Sequence, residues 1–245
     1  PKSIFIDRSK RNFVKKRSLF TSVGNLTIVT PSQWLERIVQ ESFLSGYPVH
    51  VINNGVDLGV FKPCRNESLF DRYRIDKKRK IILGVANVWT KRKGFEDFIK
   101  LSSMLDDECQ IVLLGLTEKQ IHNLPANIVG LRRTESVADL AQLYSAADVF
   151  VNPTYVDNFP TTNIEALACG TPVVTYKTGG SPEAVDEATG RVVGKGDVLA
   201  LHKAISGILH TGKGQYLSLC RQRAIDLYDK NDRFMDYIRL YNSVL

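Results

Sequence analysis

Short apolar strands alternating with amphipathic helices predict an α/β fold, a parallel sheet with helices on both faces. Three observations carry that prediction. From residue 55 onward, strand and helix periodicities take turns along the chain. The strand candidates are continuous apolar, β-branched runs, the pattern of strands buried on both faces. Finally, Val149 to Thr175 reads as strand, loop, short helix, tight stop and strand.

The elements follow in order. Residues 1–20 give a mixed helical signal, and Leu26-Thr27-Ile28-Val29 is a short β-rich run. Thr30-Pro31-Ser32 opens a helix whose Trp34, Leu35, Ile38 and Val39 share one face. Val49 to Ile52 is a strand ending at the turn signal Asn53-Asn54-Gly55. Lys80 to Val85 is a buried strand, and Gly94 to Leu105 a helix with Phe95, Phe98, Ile99 and Leu101 inward. Ile111 to Leu114 is a strand closed by Gly115, and Ile128-Val129 another closed by Gly130. Ser136 caps a helix running to Ala146, with Leu140, Leu143 and Tyr144 apolar. In the following unit Val149 to Val151 is the strand and Asn152-Pro153 its break. Pro160 or Thr161 starts the helix, Gly170 is its left-handed stop, and Pro172 prevents resumption. Arg191 to Val193 is a further strand and Val198 to Leu209 a helix. From Tyr216 the chain is helical in two pieces, broken near Lys230-Asn231-Asp232. Together these elements specify a Rossmann-like parallel sheet covered on both faces.

Two acids stand out in the 149–175 unit. Asp157 lies in the loop past a strand's carboxyl end, where open α/β sheets place ligands. Glu165 falls about one turn into the helix, near amides and a dipole that favour phosphate. A second polar turn, Asn87 to Gly94, also follows a strand and opens a helix, with Lys91, Arg92 and Lys93 beside it. Amides for a diphosphate and acids for hydroxyls suit a nucleotide sugar. As an isolated pair, Asp157 reads equally as a turn or cap residue and Glu165 as a solvated helix acid, while an exposed turn is the lesser reading of Lys91 to Lys93.

The string D-N-F-P-T-T-N-I-E-A-L-A-C-G-T-P-V-V, residues 157–174, resembles the E-x7-E signature of retaining glycosyltransferases of family 4, with Asp as the first acid. The resemblance implies the donor-binding half of a two-domain GT-B enzyme. It places Asp157 at the transferred sugar, in the catalytic position, and Glu165 at the ribose. Asn158, Phe159, Thr161 and Thr162, between them, are expected to bind donor. Lys93-Gly94 matches the end of the family's G-R-x-x-x-x-K-G; Val88 stands where that pattern has arginine, so Arg92 or Lys91 substitutes or amides hold the diphosphate instead. The resemblance also puts the base near Gly130, Leu131 and Arg132. It makes Gly179-Gly180-Ser181-Pro182-Glu183 a mainly structural loop, with Glu183 a helix-start acid. V-T-P-S-Q-W-L and V-I-N-N-G-V-D resemble the end of the acceptor domain and the interdomain crossing. Residues 1–53 are accordingly expected to be a remnant of the N-terminal acceptor domain, 54–228 the donor domain, and 229–245 a crossover helix. Pro1 in place of methionine reads as an excised piece.

Composition excludes other classes. The chain has 245 residues, 43% hydrophobic and 24% charged, an ordinary core-forming balance. Net charge is +7, but residues 1–17 hold seven basic side chains against one acid, leaving 26 basic and 25 acidic elsewhere. A nucleic-acid partner is therefore not expected. The basic start reads first as a solvated segment, with peripheral contact with a membrane surface as the alternative. Four cysteines form no C-x-x-C pair, and Cys169 reads as a core residue, consistent with a reducing cytoplasmic location, at the inner membrane face if the basic start binds lipid. There is no D-x-D, P-loop or G-x-G-x-x-G pattern, and no histidine cluster. No metal and no cofactor are expected beyond a nucleoside-diphosphate sugar as substrate, passed to a carbohydrate or lipid-linked acceptor hydroxyl. A nucleotide-sugar epimerase and a non-catalytic nucleotide-sugar-binding module are the rival readings.

Overall fold

A computed structural model describes residues 7–64 and 67–244. Lys2 of the basic start lies outside the described residues. The body is one six-stranded sheet, built from β3 (Lys80–Val85), β4 (Cys109–Leu114), β5 (Ile128–Leu131), β6 (Val149–Asn152), β7 (Val173–Tyr176) and β8 (Gly190–Val193). Its order is β5-β4-β3-β6-β7-β8 with every pairing parallel. A separate two-stranded parallel ribbon pairs β1 (Ile28–Thr30) with β2 (Val49–Val51).

The helices follow from local sequence. α2 (Gln33–Gln40) begins at Ser32, whose Oγ accepts from Leu35 N at 3.2 Å. α4 (Phe95–Ser102) is shorter than the expected 94–105, but buries Phe98 and Leu101 as anticipated. α6 (Val137–Ala146) is capped by Ser136, and α7 (Thr161–Ala168) starts after Pro160. Gly170 adopts φ 74° beyond the end of α7. α8 (Val198–Thr211) covers β7 and β8, and α9 (Leu217–Tyr228) packs on α7. The last break falls at Asp229, before α10 (Lys230–Val244), rather than within 230–232. There Val56 N donates to Tyr228 O at 2.8 Å and Lys230 N to Val56 O at 3.1 Å, so an interstrand-like bridge fixes the corner. Two short helices, α3 (Ser68–Tyr73) and α5 (Glu118–His122), were not foreseen in the sequence. In α2 the expected apolar face is only half-covered, and Ile38 is exposed. α1 (Ser9–Thr21) has no buried residue.

The core is a single cluster around both faces of the six-stranded sheet, including Ile82, Leu83, Ile111, Phe150, Ile164 and Val173. Each such side chain contributes about 1.5–3 kcal/mol relative to an exposed position. Cys109, Cys169 and Cys220 belong to it, and burial pushes each thiol up to about 12. No helix among the described residues is long and apolar enough to cross a membrane.

Candidate functional site

β3 sits between β4 and β6, so the strand order runs outward in opposite directions from the β3–β6 pair. Loops leaving the carboxyl ends of two such strands diverge and leave a crevice. A cleft of about 530 Å³ lies there. Ala86, Asn87 and Val88 line it from the end of β3, and Arg92 and Lys93 from the turn before α4. Asp157 and Phe159 face it from the loop after β6, and Thr161, Thr162 and Glu165 from α7.

The turn carrying Lys93 is a short 3-10 helix, Lys91–Lys93, ended by Gly94 at φ 78°. A Cβ at Gly94 would overlap the Pro153 carbonyl, so glycine lets the turn lie directly on the β6 loop. Tyr155 N donates to Arg92 O at 2.8 Å, joining the same two segments. Lys93 Nζ thereby reaches Asp157 Oδ2 at 2.6 Å, with the side chains 27% and 18% exposed. Arg92 is exposed and has no ion-pair partner among the described residues.

The Asp157 loop is held from its other side. Gly180 N donates to Asp157 O at 3.1 Å. Gly179 has φ 56°, and a Cβ there would overlap that same carbonyl. Glu183, in the short 3-10 helix Ser181–Ala184, does not serve mainly its own helix start. Its carboxylate accepts from Gln33 N at 2.9 Å and Trp34 N at 2.8 Å, capping α2 from a distance in sequence.

α7 presents its first turn to the cleft without a side-chain cap, leaving amides available for an anion. Asn163 anchors that turn. Its Oδ1 accepts from Asn152 Nδ2 at 2.8 Å, and its Nδ2 donates to Ser181 O and Oγ at 3.2 and 3.1 Å. All of this network is buried and paired, which fixes one arrangement. Glu165 is half-buried, and Tyr144 OH donates to its Oε2 at 2.8 Å. Burial pushes the Glu165 carboxyl above its usual range, opposed by hydrogen bonds from Tyr144 and Thr161. Burial and the neighbouring Glu165 raise the Tyr144 phenol well above its usual value, so it stays a donor.

The structure therefore brings Arg92, Lys93, Asp157, Phe159, Thr161, Thr162 and Glu165 to one cleft. Asn158, Gly130, Leu131, Arg132 and Lys91, also expected near the donor, do not line it. Asn158 is exposed outside it. Gly130 lies within β5 rather than after it, and a Cβ there would meet Leu116, Ile121 and Leu124, so glycine serves packing against α5. Leu131 ends the same strand. A neighbouring depression shares Asn87 and Val88 with the cleft and continues to Gly115, Thr117, Arg132 and Arg133. The supporting roles of Tyr144 and Asn163 are not legible in the sequence. The one available signal was a tyrosine, not phenylalanine, at a core position of α6.

Residues 65–224 match the family model "Glycosyl transferases group 1". Among curated relatives, the N,N'-diacetylbacillosaminyl-diphospho-undecaprenol alpha-1,3-N-acetylgalactosaminyltransferase of Campylobacter jejuni is 28% identical over 207 residues, covering 78% of this chain and 53% of its own. Alpha-maltose-1-phosphate synthase of Mycolicibacterium smegmatis is 27% identical, covering 66% of this chain and 51% of its own. The chain thus spans about half the length of these curated relatives. In fold it is similar to sucrose-phosphate synthase from Thermosynechococcus elongatus, with TM-score 0.82 and 24% identity over 100% of this chain and 64% of that one. Anabaena HepE, solved in complex with UDP, aligns with TM-score 0.78 and 21% identity over 96% of this chain and 68% of its own. The six-stranded parallel sheet is the sheet of a GT-B glycosyltransferase, and the chain belongs to the group 1 glycosyl transferases.

Proposed function

We infer that the cleft binds a nucleoside-diphosphate sugar and that the protein transfers the sugar, of hexose type, to an acceptor hydroxyl with retention of configuration. The observation supporting this most strongly is the convergence of two acids, two cations and an uncapped helix start on one crevice at the switch of the sheet. The solved HepE complex with UDP adds support from a protein of the same fold. A bond broken to a diphosphate puts growing negative charge on the leaving oxygens. Lys93, Arg92 and the first amides of α7 are the groups able to stabilise it, with no metal called for. Arg92 takes the place of the arginine that Val88 lacks. Asp157 orients the sugar, and Glu165, held by Tyr144, accepts from the ribose hydroxyls. Residues 54–228 then form the donor-binding part, while 1–53 belong with the acceptor side and 229–245 cross back to them.

Glu165→Ala removes a charged acceptor from two hydroxyls. Nucleotide affinity should fall about tenfold, the size of one hydrogen bond to a charged group. Isothermal calorimetry with UDP and GDP measures it, and unchanged affinity for whichever nucleotide binds refutes the assignment.

A further inference from the structure

Resting on the donor-cleft reading, we propose that the Lys93–Asp157 ion pair makes the cleft select a nucleoside diphosphate that carries a sugar over the bare diphosphate. Both members stand on anchored backbone. Gly94 seats the Lys93 turn on the Pro153 carbonyl, and Gly180 N–H holds the Asp157 carbonyl at 3.1 Å. At 2.6 Å and mostly shielded, the pair forms before any ligand arrives. Lys93 is thus neutralised by Asp157, and Arg92 is left as the cation of the cleft with no ion pair among the described residues.

The two ligands meet this pair differently. A bare nucleoside diphosphate ends in a phosphate monoester, whose second ionisation near pH 6 gives it about one charge more than the sugar diester at neutral pH. Its terminal oxygens carry no proton to offer Asp157, so freeing Lys93 leaves a mostly shielded carboxylate facing a phosphate. A sugar changes both terms. It removes one ionisable oxygen, and its hydroxyls donate to Asp157 in place of the ammonium. Lys93 can then turn to the diphosphate without leaving an unpaired acid behind. The ammonium is released only when hydroxyls replace it, so loss of the sugar at the end of a reaction restores the pair and loosens the spent nucleotide.

The test compares UDP with UDP-glucose, and GDP with GDP-mannose as a second pair, by calorimetry at pH 7.5. Asp157→Asn should tighten the bare nucleotide about tenfold and the nucleotide sugar no more than about twofold, so that the ratio of the two affinities shifts about fivefold or more toward the bare form. A ratio that stays constant, or a bare nucleotide that binds more weakly, overturns the proposal. The wild-type protein gives a measurement that needs no variant. UDP methyl ester has the charge of the donor but lacks the hydroxyls of the transferred sugar, and it should bind several-fold more weakly than UDP-glucose. Equal affinity for the ester and the sugar overturns the proposal even if Asp157→Asn does not fold. Binding of neither nucleotide nor nucleotide sugar by the wild type refutes the donor-cleft reading itself, and this inference with it.

Discussion

Glu165 carries a conflict between folding and binding. Its carboxyl is drawn out of water by α7 and the fully buried Tyr144, which raises its pKa from 4.5. A group whose pKa rises on folding holds its proton more tightly in the folded chain. Its favourable contribution is complete below about pH 4.5 and is lost as pH climbs through the raised value. At neutral pH the ionised side chain therefore works against the unliganded fold, and a ligand's hydroxyls would repay that desolvation. Glu165→Gln keeps an oxygen for Tyr144 and removes the charge. The variant should melt higher than wild type at pH 7.5, with the difference shrinking steadily toward pH 4, while binding nucleotide less well. Thermal unfolding between pH 4 and 8 reads this directly, and a difference that does not vary with pH would show that ionisation is not the cause.

At the scale of elements, the loop Gly179–Glu183 connects what the sequence keeps apart. One side braces Asp157, and the other caps α2 through Glu183. Glu183→Ala leaves two amides of α2 without that acceptor, and losing a cap costs about 1 kcal/mol. A fall of about 2–4 °C in Tm is expected for a chain of this size, with faster hydrogen exchange at Gln33 and Trp34. Unaltered exchange at those two amides would contradict the cap. Glu183 also shows where sequence reading stops. Its nature as a loop acid was legible, but its partner lies 149 to 150 positions away, and no local pattern encodes that distance. β3, by contrast, was read to the residue, because a continuous apolar run between polar ends leaves little choice of register. Asp157 and Glu165 stand out through the whole motif string around a helix start, and the structure brings both to one cleft. Gly130 lies inside β5 and not past its end, and a glycine near a strand end looks the same in sequence whether it makes room for a ligand or for Leu116 and Leu124. α3 and α5, of six and five residues, were too short to display a helical period.

The molecule as a whole is unevenly tied together. Among the described residues its main hydrophobic cluster begins at Val56, and Ile52 of the N-terminal segment is buried outside that cluster. Polar contacts tie that segment to the body: Glu183 to α2, and Asn54 Nδ2 to Phe159 O at 3.1 Å at its junction. Leu240 of α10 lines an open depression together with Val51 and Ile52. Among the described residues, none before Val85 lines the cleft. Deleting residues 1–53 should therefore leave a cooperatively folding chain with near-UV circular dichroism, melting several degrees lower as α10 and the Gly179–Glu183 loop lose their neighbours. Nucleotide affinity should drop only modestly, about threefold, because Ser32 and Glu183 brace the Asp157 loop without entering the cleft. A truncated chain that keeps its helices but loses its near-UV signal would mean that the β1–β2 ribbon completes the fold, despite lying outside the core. If the truncated chain stays folded and still binds nucleotide, the donor cleft is a property of the six-stranded sheet alone, and the first 53 residues act on it only through the loop that holds Asp157.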